Sequence, residues 1–496
     1  MTRKIFALVI CAIFTTLSSL AQTPPDNEVW YTTTDGKKAE IYEGNDNVNF
    51  KIISHTYANG KGVVRANRAI EDYGIWEWNV EFGFKIIGNH IETITLPNRL
   101  TKIRWGAFEG CTSLTNITIP DSVTEIGYRA FSKCISLTNI TIPDSVTVIG
   151  REAFHGCTIL KSFKGKYASS DGRCLIVDGE LIAFAPAGLT SYTIPNSVTK
   201  IGGNAFYGCT SLTNITIPDS VTEIGYGAFS GCTSLTNINI PNSVTKIERY
   251  TFKGCSSLTS ITIPDNVTKI GDGAFSGCTS LTSINIPDSV TEIRGLAFED
   301  CTGLTSITIP DSVTEIGYGA FLGCTNLKSI ELSNKITTID SSAFMECCSL
   351  QGITIPDSTT TIGTKAFEDC SSLTEVAIPN GVTTIKASTF EGCTNLSDIK
   401  LSDKLTTIGE GAFVECNITR ITIPQDVTTI GKDAFKECPS SLVIKCLATT
   451  PPQISTLGIG EEIVIYVPKE SINLYKKAEG WEVYKKQIKR IKEERE

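Results

Sequence analysis

The chain has 496 residues, 41% of them hydrophobic and 20% charged, with a net charge of −9 and a pI near 5.2. Its length exceeds what one hydrophobic core holds, so several domains or a repeat array are expected, and its apolar content excludes a disordered chain. Net acidity removes the basic footprint that nucleic acid demands, and two methionines with His55, His90 and His155 leave little for metal or acid–base chemistry.

Residues 1–21 begin with Arg3 and Lys4, run through an apolar stretch from Ile5 to Leu17, and end in the small residues Ser19 and Ala21. This is the pattern of a secretory signal peptide cleaved after Ala21, so an exported chain at the cell surface, secreted or periplasmic is expected. Cys11 lies inside the apolar stretch after bulky Ile10, which argues against a lipid-modified cysteine. No other apolar run approaches the ~18 residues that span a bilayer. Residues 22–90 read as an N-terminal cap with Trp30, Tyr31, Trp76 and Trp78 as packing aromatics.

From residue 91 to 446 one pattern recurs. Prolines fall at Pro97, Pro120, Pro143, Pro195, Pro218, Pro241, Pro264, Pro287, Pro310, Pro356, Pro379 and Pro424, with Ser333 and Ser402 in two further slots. The step is 23 residues, apart from one of 52 and a last one of 22, giving fourteen copies. Such a period predicts a solenoid of short strands and single helical turns, in which each copy is too small to fold without its neighbours. In one copy, Ile117 and Ile119 alternate with Asn116 and Thr118 on a strand. Pro120-Asp121-Ser122 makes a turn whose polar side chains satisfy nearby amides. Val123 and Ile126 lie on a second extended piece, Gly127 frees the backbone, and one helical turn aims Phe131 and Cys134 inward. The same ladder includes Phe229 and Cys232, Phe275 and Cys278, and Phe321 and Cys324.

The 52-residue step carries an insertion of about 166–191, where two apolar runs flank Asp178-Gly179-Glu180. It reads as a hairpin that protrudes and packs locally, with a ligand-gripping loop as the rival reading. Residues 447–496 read as a C-terminal cap containing a strand at 461–468 and a helical stretch at 472–491 around Tyr475, Trp481 and Tyr484. Lys476, Lys477, Lys485 and Lys486 read as a solvated face, because Glu479, Glu482, Glu493 and Glu494 interrupt any membrane-binding patch.

The pattern L-x-x-I-x-I-P-x-x-V-x-x-I-G-x-x-A-F-x-x-C, carried by Leu114 to Cys134 and its copies, resembles the 23-residue Treponema-type leucine-rich repeat of BspA-like bacterial surface proteins. Ser122 and Ser220 stand where familiar leucine-rich repeats have asparagine, so the asparagine-ladder argument does not carry over. The flanks at Asn27 to Tyr42, Ser54 to Val64 and 448–491 are also similar to exported members of that family from gut and oral Bacteroidales. The resemblance implies a leucine-rich-repeat solenoid, a β-rich right-handed superhelix with caps at both ends, and adhesion to host matrix proteins, other cells or glycoproteins outside the cell, with no enzymatic activity in the repeats. A structural spacer of the envelope without a specific ligand is the alternative.

Seventeen cysteines beyond residue 21 invite disulfides in an exported chain. Equivalent positions on stacked strands, however, lie ~4.8 Å apart and point the same way, whereas a disulfide needs Cβ atoms near ~3.8 Å and converging. A buried reduced ladder is therefore expected, with off-pattern Cys174, Cys348 and Cys446 the better pairing candidates. Gly225, Gly227 and Gly231 mimic a nucleotide-binding fingerprint in the wrong context, since no βαβ unit follows. No CxxC, GxSxG, HExxH, P-loop or EF-hand motif occurs, so no cofactor, metal or catalytic residue is expected. The Asp121, Asp144 and Asp219 turns cap backbone rather than bind calcium, and their Asp-Ser-Val triplets resemble a Bacteroidales O-glycosylation pattern. The outward strand positions are small and uncharged until late copies. Tyr192, Glu331, Glu375, Asp398, Lys400 and Arg420 break the regularity and are the candidate ligand-binding residues.

Overall fold

A strand as short as Asn116–Thr118 forms because Ile117 turns inward while its neighbours face water, and Pro120 soon withholds a donor and ends the run. A computed structural model describes residues 23–43, 51–73, 84–87 and 89–491. The signal segment 1–21, Trp76, Trp78, Glu493 and Glu494 lie outside the described residues. Two compact units are present, 1–177 with 182–188, and 178–181 with 189–496. Each is a parallel β-solenoid with very little helix.

Most copies contribute two strands, and those at Thr262, Asn285 and Gly352 reduce the first to a single bridge. The first, such as Asn139–Thr141, belongs to a face sheet in which like residues pair in register, as Asn214 with Asn237. The second, such as Glu125–Ile126, forms a flank sheet, with Glu125 between Lys102 and Val148. In-register parallel stacking follows from the period, because a slip of one residue would turn every isoleucine outward.

The segment from Gly127 to Cys134 has turn geometry but does not wind into a helix. Its N–H groups alternate: Ala130, Ser132 and Cys134 donate to Gly127, Arg129 and Phe131 of their own copy. Arg129, Phe131 and Lys133 donate to Arg151, Ala153 and His155 of the next copy. Left-handed φ values at Arg129 (54°) and Lys133 (60°) force this alternation, and many copies place glycine there, as at Gly227 (57°) and Gly231 (72°). The glycine before the tyrosine has another cause. A Cβ on Gly225 would lie 2.7 Å from the Gly203 nitrogen, so that slot marks close approach of adjacent copies and not a special φ.

The core is a set of ladders. Phe108, Phe131 and Phe154 stack at 5.1 and 5.3 Å in the first unit. Eleven rings from Phe206 to Phe435 stack in the second, at 5.2 to 5.8 Å and within 20° of parallel. Beside them the repeat cysteines that follow another copy's stacked phenylalanine donate their thiols to its carbonyl, as Cys134 to Phe108 and Cys324 to Phe298. A cysteine thus fills apolar space and also gives a buried carbonyl a weak donor. Cys174 and Cys446 are buried free thiols, Cys446 lying 3.2 Å from the Tyr475 hydroxyl.

The turn serine works differently from the expected local capping. Ser122 donates to the Leu100 carbonyl at 2.6 Å, and Ser220, Ser289 and Ser312 repeat the contact 22 residues back. The serine takes over the inter-copy role, while the neighbouring Asp121, Asp219 and Asp288 are exposed. Ser289→Ala removes the 2.6 Å bond to Val267 and is expected to cost about 1 kcal/mol in urea unfolding. A change indistinguishable from zero would reduce that ladder to coincidence.

In the first unit Glu28–Thr33 pairs antiparallel with Lys61–Ala66 and with Ile91–Thr95, the first rung of the parallel face. Tyr31 is buried there, and Lys61 sits over the Trp30 ring at 3.0 Å. The insertion does not stand clear of the array: Leu175, Ala183 and Ala185 share the core containing Phe163 and Phe154. Asp178 and Gly179, both at positive φ, turn the hairpin. Glu180 and Leu181 pair with Lys200 and Ile201, so they supply the second unit's first flank rung.

Residues 447–491, expected as a cap, continue the stack. Val443–Cys446, Val464–Val467 and Ile488–Arg490 follow Arg420–Ile423 as parallel face rungs. The expected helical stretch shrinks to one turn at Ile472–Tyr475 and two 3-10 turns, because Gly480 is left-handed and 488–490 is claimed by the sheet. Tyr475 and Trp481 meet edge-on at 4.8 Å, and the Trp481 indole donates to the Pro452 carbonyl.

Candidate functional site

Burial raises the pKa of Cys278 and Cys324 to about 12 and pushes Cys134, Cys301 and Cys370 up as well, with hydrogen bonds offsetting only part of the shift. The thiolate that nucleophilic or metal chemistry requires is thereby suppressed. His55 is held to about 4 by burial and the Lys38 charge, and contacts the Tyr31 hydroxyl at 2.7 Å. Among the described residues no group of three or more His, Cys, Asp or Glu side chains converges for a metal.

The face sheet remains, and register makes its surface readable as two outward rows. In the second unit the first row runs through Ser191, Asn214 and Asn237, and later through Ser306 and Ser329. The second runs through Thr193 and Thr216, then Asn239, Thr262 and Asn285, then Thr308. All are small and uncharged. Charge enters at Glu331, which accepts from the Thr308 hydroxyl at 3.2 Å, and then at Glu375, the register partner of Asp398.

Three of the six candidates meet. Asp398, Lys400 and Arg420 line one concavity of about 610 Å³, with Thr422, Asp403 and the exposed Leu447 around them. Glu375 lies one rung away, and Glu331 two rungs before that. Tyr192 does not join them. It pairs with Ile215 in the inward row and is half-buried at the opposite end of the second unit's face. Position along the strand decides this, since one residue's shift exchanges the two faces.

The reading from sequence passes over Lys445, Tyr466 and Lys489, which extend the second row beyond Thr422 in register. Their signal was the buried series Ile444, Ile465 and Ile488, spaced 21 and 23 residues apart without the Ile-Pro marker.

A second concavity of about 610 Å³ opens on the flank side, where Arg294-Gly295 replaces the Gly225-Tyr226 type of pair. A Cβ on Gly295 would lie 3.1 Å from the Tyr318 carbonyl oxygen and 3.6 Å from an Asp272 carboxylate oxygen, so the neighbours close in on the glycine. Burial tends to raise the Glu292 carboxyl there, but the hydrogen bonds and charges of Arg294 and Lys269 hold it below its ordinary range. Arg294 is thereby engaged, and Arg249 lies over the Tyr250 ring at 4.5 Å.

A family model described as the BspA type leucine rich repeat region matches residues 84–170, 181–305, 245–374 and 360–456. A search of curated proteins finds no match. Among solved structures, a leucine-rich repeat protein from Bacteroides ovatus is 27% identical, covering 89% of this chain and 99% of that one, with a TM-score of 0.43. A leucine rich cell surface protein from Faecalibacterium prausnitzii is 34% identical over 64% of this chain and 85% of its own, with a TM-score of 0.42.

Proposed function

Because the chain belongs to the BspA-type leucine-rich repeat family, we propose that it is an exported, non-catalytic binding protein of adhesive type. Its ligand is an extracellular macromolecule of host matrix or of other cells, held on the face sheet of the late copies. The observation that carries this reading is the change of surface within one regular lattice. A face that stays neutral from Thr193 to Thr308 becomes charged around Glu375, Asp398, Lys400 and Arg420 and hollows into a groove. Identical neutral rungs discriminate nothing, whereas a polar groove of charged side chains fixes orientation. Export is supported by the basic, apolar and small-residue succession of residues 3–21. No helix among the described residues is long and apolar enough to cross a membrane.

The test immobilises the purified mature protein and probes it with matrix proteins, mucin and glycans. The comparison variant is Glu375→Ser, Lys400→Thr and Arg420→Asn, which installs residues that earlier copies already carry and so preserves the fold. Saturable binding that weakens about tenfold or more in the variant is expected, as for loss of charge-assisted contacts. Saturable binding untouched by the variant would move the site elsewhere. No saturable binding to any probe would leave a spacer, the reading favoured by the uniform early copies.

A further inference from the structure

We propose that the row Lys400, Thr422, Lys445, Tyr466 and Lys489 is a track for a linear acidic polysaccharide with one uronate per disaccharide. The inference rests on the reading that the late face is the binding surface, and names what lies on it.

The row is fixed by backbone pairing. Thr422 is the register partner of Lys445, Lys445 of Tyr466, and Tyr466 of Lys489. Lys400 and Thr422 line the same groove on adjacent strands. The inward neighbours Ile399, Ile421, Ile444, Ile465 and Ile488 are buried, which sends all five side chains of the row to the outer side. Lys400, Thr422 and Lys489 are exposed, and Lys445 and Tyr466 are half-exposed.

Two properties select the ligand. The first is sign. From Lys400 onward the row holds three lysines and no carboxylate, in a chain whose net charge is −9. The neighbouring outward row adds Arg420 and then turns apolar at Val443 and Val464. Glu375 and Asp398 bound the track at its other end and exclude a polyanion from the earlier copies.

The second is alternation. The lysines occupy every other rung, with Thr422 and Tyr466 between them. With strands ~4.8 Å apart, like charges recur at roughly 10 Å. A sugar ring in an extended chain advances by about one such strand spacing, ~4.8 Å. An alternating acidic and neutral chain therefore sets each carboxylate above a lysine. Its neutral sugars then fall on the Thr422 hydroxyl and the Tyr466 ring, which offer a hydrogen bond and an apolar face with a polar tip. A polymer charged on every unit would place half its charges over Thr422 and Tyr466, with no cation to meet them. Nucleic acid fits less well for that reason.

The experiment titrates the full chain by calorimetry with hyaluronan oligosaccharides, whose uronates alternate with neutral amino sugars. Affinity is expected to rise from disaccharide to hexasaccharide and then level off, three uronates matching three lysines, and to fall with added salt. Lys400→Thr/Lys445→Thr/Lys489→Thr, which extends the threonine row of the earlier copies, should lose about tenfold or more with unchanged thermal unfolding. Lys476→Ser/Lys477→Ser/Lys485→Ser removes the same charge from exposed positions elsewhere and should bind as the parent does. Oligogalacturonate of equal length should bind no tighter, and dextran not at all. Absent hexasaccharide binding at low salt, an unaffected track variant, equal losses in the two lysine variants, or tighter oligogalacturonate binding would each overturn the track. If matrix proteins are still captured in any of those cases, the track fails and the adhesive reading stands. Loss of all binding removes both.

Discussion

Raising the pH from 8 to 10 is expected to destabilise this fold by roughly 5 kcal/mol through its thiols alone. Burial pushes Cys157, Cys278, Cys324, Cys393 and Cys438 up to about 12 from the usual 9.0, hydrogen bonds opposing only part of the shift. Unfolding returns each group to a pKa near 9. Above that pH the unfolded chain sheds protons that the folded chain keeps. The stability is therefore complete below pH 9 and is lost progressively as the pH climbs towards 12. By pH 10 each thiol has removed about 1 kcal/mol. Urea unfolding across this range measures the slope, and replacing the five cysteines by alanine should reduce it, the remaining buried thiols keeping part of it. An unchanged slope in that variant would assign the alkaline sensitivity to other titrating groups. In the same preparations at pH 8, iodoacetamide should label the half-buried Cys348 first and leave the fully buried repeat thiols unmodified until denaturant is added.

Phe321→Ala should be among the most damaging single substitutions in the array. The ring has no exposed surface and lies between Phe298 at 5.3 Å and Phe344 at 5.5 Å, within 6° of parallel to both. Truncating a buried phenylalanine costs about 3–5 kcal/mol, and the two lost ring pairs place this site at the upper end. Phe435→Ala, with Phe413 as its stacking partner at 5.6 Å, should cost less. Because solenoid stability couples nearest neighbours, the interior defect should also broaden the urea transition. Hydrogen exchange should speed up first in the copies flanking residue 321. A loss below about 1 kcal/mol, well under the cost of a filled site vacated, would mean that the stack closes over the gap.

What could be read from the sequence was whatever repeats in register. Ile117, Phe131 and Cys134 recur at one period and prefer burial, so both the period and the inward face follow from side-chain chemistry. Contacts reaching a neighbouring copy were harder to see. Ser122 looked like a local cap because its nearest backbone in sequence is its own turn, yet the closest unsatisfied carbonyl in space is Leu100. Gly127 looked like a conformational joint, but a Cβ there would lie 2.8 Å from the Arg104 carbonyl carbon. Tyr192 stood out as a break in the regular ladder, but its pairing with Ile215 places it in the inward row. Lys400 and Arg420 stood out as breaks in a pattern. Lys445, Tyr466 and Lys489 did not, since no proline follows Cys446 or Arg490, Pro468 follows valine in place of isoleucine, and the spacing there departs from 23 residues.

The ladder bonds described above, from serine, cysteine and strand, span 22 to 26 residues and so tie each copy to the one beside it. A whole 23-residue module can therefore be gained or lost in the uniform middle, and the two cut ends still meet surfaces they recognise. Adding or removing one such module would change the number of neutral rungs by one and leave the charged late copies unaltered.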